Sequence, residues 1–168
     1  MKLSLGPVLF YWDRQQTLHF YAAMASLPLD VIYLGETVCS KRRAMGLDDW
    51  IGLGRDLAQE SSAQIVLSGL TLVEAASELS GLRRLCDNGE LLVEANDMGA
   101  VQYLSEKRLP FVGGPALNLY NGYALAELVG SGMCRWVPPV EISGAMIRDA
   151  RAPLATLDVA MPELEIFA

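Results

Sequence analysis

The sequence predicts an α/β protein in which parallel strands alternate with helices, and three observations carry that expectation. Short apolar runs recur along the chain, and each is followed by a segment with apolar residues at helical spacing. The runs are continuous rather than alternating, as Gln64-Ile65-Val66-Leu67 is, which suits strands covered on both faces. Breaker residues such as Pro28, Gly35, Asn88-Gly89 and Pro138-Pro139 fall where one period gives way to the other.

In chain order, residues 3–12 read as a first strand, and Asp13 can cap a helix with Leu18, Tyr21, Ala22 and Ala25 on its apolar stripe. A second strand at 31–34 leads through a polar loop to a helix capped by Asp48 or Asp49, with Trp50, Leu53, Leu57 and Ala58 on one face. Residues 64–67 form a third strand, followed by a helix with Ala75, Leu79, Leu82 and Cys86 in register and a stop at Asn88-Gly89. Residues 91–95 and 111–112 are the fourth and fifth strands, each again with a helix behind it. A sixth strand at 133–137 precedes a helix capped by Ser143, and a seventh strand covers 164–167.

Strands joined by helices run parallel with right-handed crossovers, which leaves two architectures. One is an incomplete TIM-type (β/α) barrel of about six βα units plus a seventh strand, and the alternative is an open parallel α/β sheet. A complete barrel takes about 250 residues, and this chain has 168, so residues 1–168 are expected to form a single truncated (β/α) barrel domain.

Composition narrows the function. A net charge of −7 disfavours a general affinity for nucleic acid or anionic lipid. No apolar run approaches the roughly 18 residues of a spanning helix, and residues 1–13 lack a small-residue cleavage site, so no transmembrane segment and a cytoplasmic location are expected. Three cysteines, at 39, 86 and 134, are too few and too dispersed for a disulfide framework or a CxxC metal site. The chain offers no Ser-His-Asp constellation, and with His19 as its single histidine it cannot supply the two histidines of an HExxH site.

In either architecture the chemistry collects on the loops that follow the strands. The densest such loop lies within residues 30–50, where Glu36, Cys39, Lys41, Arg42 and Arg43 follow the second strand. Three neighbouring cations would favour the Cys39 thiolate, whereas Cys86 and Cys134 sit inside elements where cysteine acts as a small hydrophobe. Glu36 and Glu94 both end strands and can serve as a catalytic acid/base pair or as hydrogen-bond acceptors for the loops. Asn96, Asn118 and Asn121 complete a polar rim which, with Lys41, Arg42 and Arg43, can face a partner. Nucleotide signatures fail: Gly52-Leu53-Gly54 lies within a helical pattern, and no Lys-Ser/Thr pair follows Gly113-Gly114.

Residues 3–9 (LSLGPVL), 31–43 (VIYLGETVCSKRR), 93–95 (VEA) and 109–112 (LPFV) resemble the collagenase-like peptidase family, in its branch devoted to oxygen-independent ubiquinone biosynthesis. The resemblance extends along the chain and implies the N-terminal half of such a protein. It implies a TIM-barrel-like fold and an iron–sulfur protein that supports hydroxylation of the quinone ring, working as a heterodimer with a UbiU-like relative. It further implies a [4Fe-4S] cluster with Cys39 as one ligand, the other three lying in the half that would follow, so no intact cluster is expected on this chain alone. Two alternatives stand beside it: a peptidase, from the family name, and a non-catalytic barrel-like binding module. A partial barrel also leaves strand edges unpaired, so self-association through them is expected.

Overall fold

The computed structural model describes residues 1–167. Seven parallel strands lie in the sheet in chain order, with helices alternating between them, and the fold is an incomplete TIM-type α/β barrel. The chain divides into two compact units, residues 1–93 and 94–168.

The first unit holds β1 (Ser4–Leu5), α1 (Arg14–Ala25), β2 (Val31–Leu34), α2 (Leu47–Glu60), β3 (Gln64–Ser68) and α3 (Ala76–Cys86). β2 is the best covered of these strands, with all four residues buried, and it pairs in parallel with β1 on one side and β3 on the other. β1 is much shorter than the expected span of 3–12. Gly6-Pro7 ends it, because proline offers no N–H to a ladder. Beyond it the Val8 amide donates to the Tyr21 hydroxyl, 3.4 Å away, and Phe10 and Tyr11 stand exposed.

Asp13 caps α1 as expected, its Oδ1 accepting from the Gln16 amide at 2.8 Å. The inward stripe of α1 differs from expectation: Thr17 and Tyr21 are buried, one helical repeat apart, and Ala22 is exposed. Thr17 tolerates burial because its hydroxyl donates to the Asp13 carbonyl at 2.9 Å. The cap of α2 is Gly46, not Asp48 or Asp49. Asp49 sits three residues on and reaches back, its Oδ2 accepting from the Gly46 amide at 2.9 Å. In α3 Leu82 and Cys86 face inward as expected, while Leu79 is exposed. Asn88 stops that helix with its side chain, donating to the Leu85 and Leu91 carbonyls and accepting from the Glu90 and Leu91 amides.

β4 (Leu92–Ala95) spans the division, and the second unit continues with α4 (Met98–Glu106), β5 (Phe111–Gly113), a 3-10 turn (Pro115–Leu117) and α5 (Gly122–Gly130). β6 (Met133–Trp136), α6 (Gly144–Thr156) and β7 (Glu163–Leu164) complete it. β6 pairs in parallel with β5 and β7, and Arg135, opposite Glu163 in register, is buried. A buried guanidinium requires a counter-charge; Glu163 supplies it at 2.8 Å, with Glu165 at 3.7 Å. Cys134 corrects the expectation of a core thiol: it faces outward from β6, and its Sγ donates to the Phe111 carbonyl at 3.2 Å. No helix among the described residues is long and apolar enough to cross a membrane.

Candidate functional site

The loop after β2 is held by side-chain acceptors at several points. Glu36 Oε1 accepts from the amides of Val38 and Cys39 at 2.9 and 3.0 Å, so the carboxylate organises the backbone that carries the thiol. The Cys39 carbonyl accepts from the Arg42 amide at 3.0 Å and closes a turn. Ser40 Oγ donates to Glu78 Oε1, and the second oxygen of Glu78 accepts from the Glu74 and Ala75 amides ahead of α3. Arg42 donates to the Leu9 carbonyl at 2.8 Å, while Lys41 and Arg43 are exposed. Cys39 ends half-buried on this rim, within reach of solvent.

Glu78 shows what the loop depends on. Its carboxyl is held below the usual range first by the Ser40 hydroxyl and then by the two amides. A depressed folded value contributes stability above the unfolded pKa and loses it as pH falls through the folded value. Protonation will therefore release Ser40 and loosen the loop. Glu78→Gln is expected to raise the reaction rate of Cys39 with a pyridyl disulfide roughly severalfold at pH 7, through easier local opening. Its ratio to the parent should fall toward one as the pH drops below the carboxylate range, and a ratio of one at pH 7 would show that Glu78 does not restrain the loop.

Beside this loop is a small recess with room for roughly one water-sized group. Phe10, Tyr11, Trp12 and Trp50 supply aromatic walls, Val8, Ala44 and Met45 apolar surface, and Thr17 and Glu36 the polar groups. Trp12 packs edge-on against Phe20 at 5.2 Å between centroids, and Trp50 against Tyr21 at 6.2 Å. In sequence Trp12 falls in the first strand and Trp50 on a helix face, and nothing in the sequence joins them to Glu36. The available signal was the Phe10-Tyr11-Trp12 run beyond Gly6-Pro7, at the loop end of the first strand. At the ends of β2 and β3 the Thr37 and Ser68 hydroxyls are buried and have no hydrogen-bond partner among the described residues.

In the second unit Glu94 and Asn96 are both buried, and Asn96 Nδ2 donates to Glu94 Oε2 at 3.0 Å. The Gly114 amide donates to the Ala95 carbonyl at 2.9 Å, and a Cβ at Gly114 would overlap the Asn96 amide group, so a side chain there would displace Asn96. The other two rim asparagines have structural work. Asn121 caps α5 by accepting from the Ala124 amide at 2.9 Å, and Asn118 ends the 3-10 turn at φ 53°. His19 is exposed on α1.

Among the described residues no group of three or more His, Cys, Asp or Glu side chains gathers as a metal site. A cubane cluster takes four thiolates. Cys39 offers one, while Cys86 is buried on α3 and Cys134 lies on β6 in the second unit. With three cysteines, the chain carries fewer thiolates than such a cluster takes.

No family model matches the chain. Among solved structures, it is similar to a mandelate racemase/muconate lactonizing enzyme from Roseiflexus sp., with a TM-score of 0.66 and 14% identity over 99% of this chain and 48% of that one. A mandelate racemase/muconate lactonizing protein from Paracoccus denitrificans Pd1222 gives 0.63 and 15%, covering 99% of this chain and 47% of that one. A mandelate racemase/muconate lactonizing protein from Paracoccus denitrificans PD1222 complexed with magnesium gives 0.63 and 16%, covering 100% of this chain and 47% of that one. The chain thus spans about half the length of the solved structures it matches. Identities this low establish the likeness of fold.

Proposed function

We propose that the chain is the N-terminal half of a UbiV-like iron–sulfur protein that works with a UbiU-like partner in oxygen-independent ubiquinone biosynthesis. The observation that carries this reading is the loop after β2, where Glu36 fixes the amides of Val38 and Cys39 and leaves the thiol half-buried on the rim. A cluster ligand requires such a thiol, anchored through its backbone and reachable from outside. The sequence VIYLGETVCSKRR around it is the stretch on which the resemblance rests. Cys39 would hold one iron of a [4Fe-4S] cluster, the other three ligands lying beyond this chain. When bound, such a cluster supplies one-electron chemistry to the hydroxylation.

Deleting the gene is expected to lower quinone under anoxia and leave it unchanged in air. Restoring the full reading frame with Cys39→Ser should behave like the deletion, whereas Cys134→Ser should restore quinone. Equal anaerobic quinone in the Cys39→Ser strain and its parent would overturn the reading.

The exposed Lys41 and Arg43 favour a second, non-catalytic reading, in which the rim binds a partner protein or an anionic precursor. Capture of the UbiU-like protein by the iron-free chain, lost on replacing Lys41 and Arg43 by glutamate, would support it.

A further inference from the structure

The recess beside Glu36 carries chemistry that the cluster reading leaves unused. Four of its lining residues are aromatic, and of the lining residues only Glu36 is charged. Glu36 commits Oε1 to the amides of Val38 and Cys39, while Oε2 meets no protein donor and no cationic side chain pairs with the carboxylate among the described residues. The basic run on the same loop does not fill that role: Arg42 donates to the Leu9 carbonyl, and neither Lys41 nor Arg43 lines the recess.

Aromatic faces attract cations through their quadrupole, and a carboxylate in the same wall adds a full negative charge. An anion would be repelled there, and a neutral apolar ligand would strip water from a carboxylate without replacing its hydrogen bonds. A hard metal ion prefers a shell of oxygen ligands, and this recess offers one carboxylate. Of these classes an organic cation is the one that both the aromatic walls and the carboxylate favour. Size then selects within the class, because the space is water-sized. A primary ammonium head is of that size, and a quaternary one is much larger.

The three N–H donors of a primary ammonium need acceptors. Glu36 Oε2 is one, and the Thr17 hydroxyl, which already donates to the Asp13 carbonyl, retains lone pairs for another. The ring of Trp12 or Trp50, both of which line the recess, would take the third. We propose that the recess binds the protonated amino group of a small primary amine, with Glu36 as counter-ion and Trp12 and Trp50 as walls. This assignment goes beyond the quinone reading and does not depend on a cluster.

The test is titration of the chain with n-butylammonium chloride at pH 7, followed by the indole N–H signals of Trp12, Trp50 and Trp136. Saturable shifts at Trp12 and Trp50, with Trp136 as the internal control outside the recess, are the expected result. Glu36→Gln keeps an oxygen for the two amides and removes the charge, and should weaken affinity roughly tenfold, as loss of a charge-assisted hydrogen bond does. Trp12→Leu tests the wall separately and should weaken it severalfold. n-Butanol and potassium chloride should produce no saturable shift, and tetramethylammonium should bind much more weakly. Equal binding of butanol or tetramethylammonium, unchanged affinity in Glu36→Gln, or no saturable shift with butylammonium would each overturn the assignment.

Discussion

Gly35→Ala is expected to destabilise the protein by about 3–5 kcal/mol, combining overpacking with backbone strain. Gly35 follows β2 at φ 144°, where side chains are disfavoured, and an added Cβ would overlap the Ser68 carbonyl oxygen, with the Ser68 nitrogen only 3.2 Å away. The obstruction is backbone and cannot rotate aside. Relief would require β2 to part from β3 where Leu34 stands opposite Leu67. The same chemical change within α2 should act in the opposite direction. Gly52 is helical, and a Cβ there meets nothing within 4 Å, so Gly52→Ala should stabilise by about 0.5–1 kcal/mol through helix propensity. Urea denaturation of the two variants reads both signs. A Gly35→Ala midpoint equal to that of the parent would show that the close approach of Gly35 to Ser68 is not present in solution.

The fold was legible wherever local chemistry decides it. β2 could be bounded to the residue because a four-residue apolar run lies between Asp30 and Gly35. The caps Asp13 and Ser143 and the stop at Asn88 follow from side chains that hydrogen-bond the nearby backbone. β1 was overextended because apolar residues continue past Gly6-Pro7, although the missing proline N–H had already ended the ladder. Cys134 was misplaced for a related reason: strand membership is visible in sequence, but which side of the strand is covered is a tertiary fact. The same limit hid the recess. Its walls come from three segments, residues 8–17, 36 and 44–50, that only the packing of α1 and α2 around β2 assembles. Glu36 and Cys39 were legible as chemistry on a loop, whereas the aromatic rings beside them read only as parts of a strand and a helix face.

Tyr21 links those segments, and its replacement should produce the second large effect. The side chain is fully buried, its hydroxyl donates to the Tyr33 carbonyl on β2 at 3.1 Å and accepts from the Val8 amide at 3.4 Å, and its ring meets Phe20 and Trp50 edge-on. Tyr21→Ala is expected to cost about 3–5 kcal/mol, as removal of a buried aromatic does. Tyr21→Phe keeps the ring and should cost about 1–2 kcal/mol, the penalty for leaving a buried carbonyl without its donor. Alkaline pH separates the hydroxyl from the ring. Burial pushes the Tyr21 phenol well above its ordinary value, outweighing the opposing hydrogen bond from the Val8 amide. The unfolded chain therefore releases this proton near pH 10 while the folded chain keeps it. Stability from a raised pKa is complete below the unfolded value and is lost as pH rises, here by roughly 1.4 kcal/mol per pH unit above about 10. Phenylalanine has no proton to release, and the other titrating groups are common to both proteins. The advantage of the parent over Tyr21→Phe should therefore shrink from pH 9 to 11 and close about one unit above pH 10. A gap that stays constant across that range would mean that the Tyr21 hydroxyl is not held as a buried neutral donor, and Val8 and Trp50 would then lack the common support that shapes the recess.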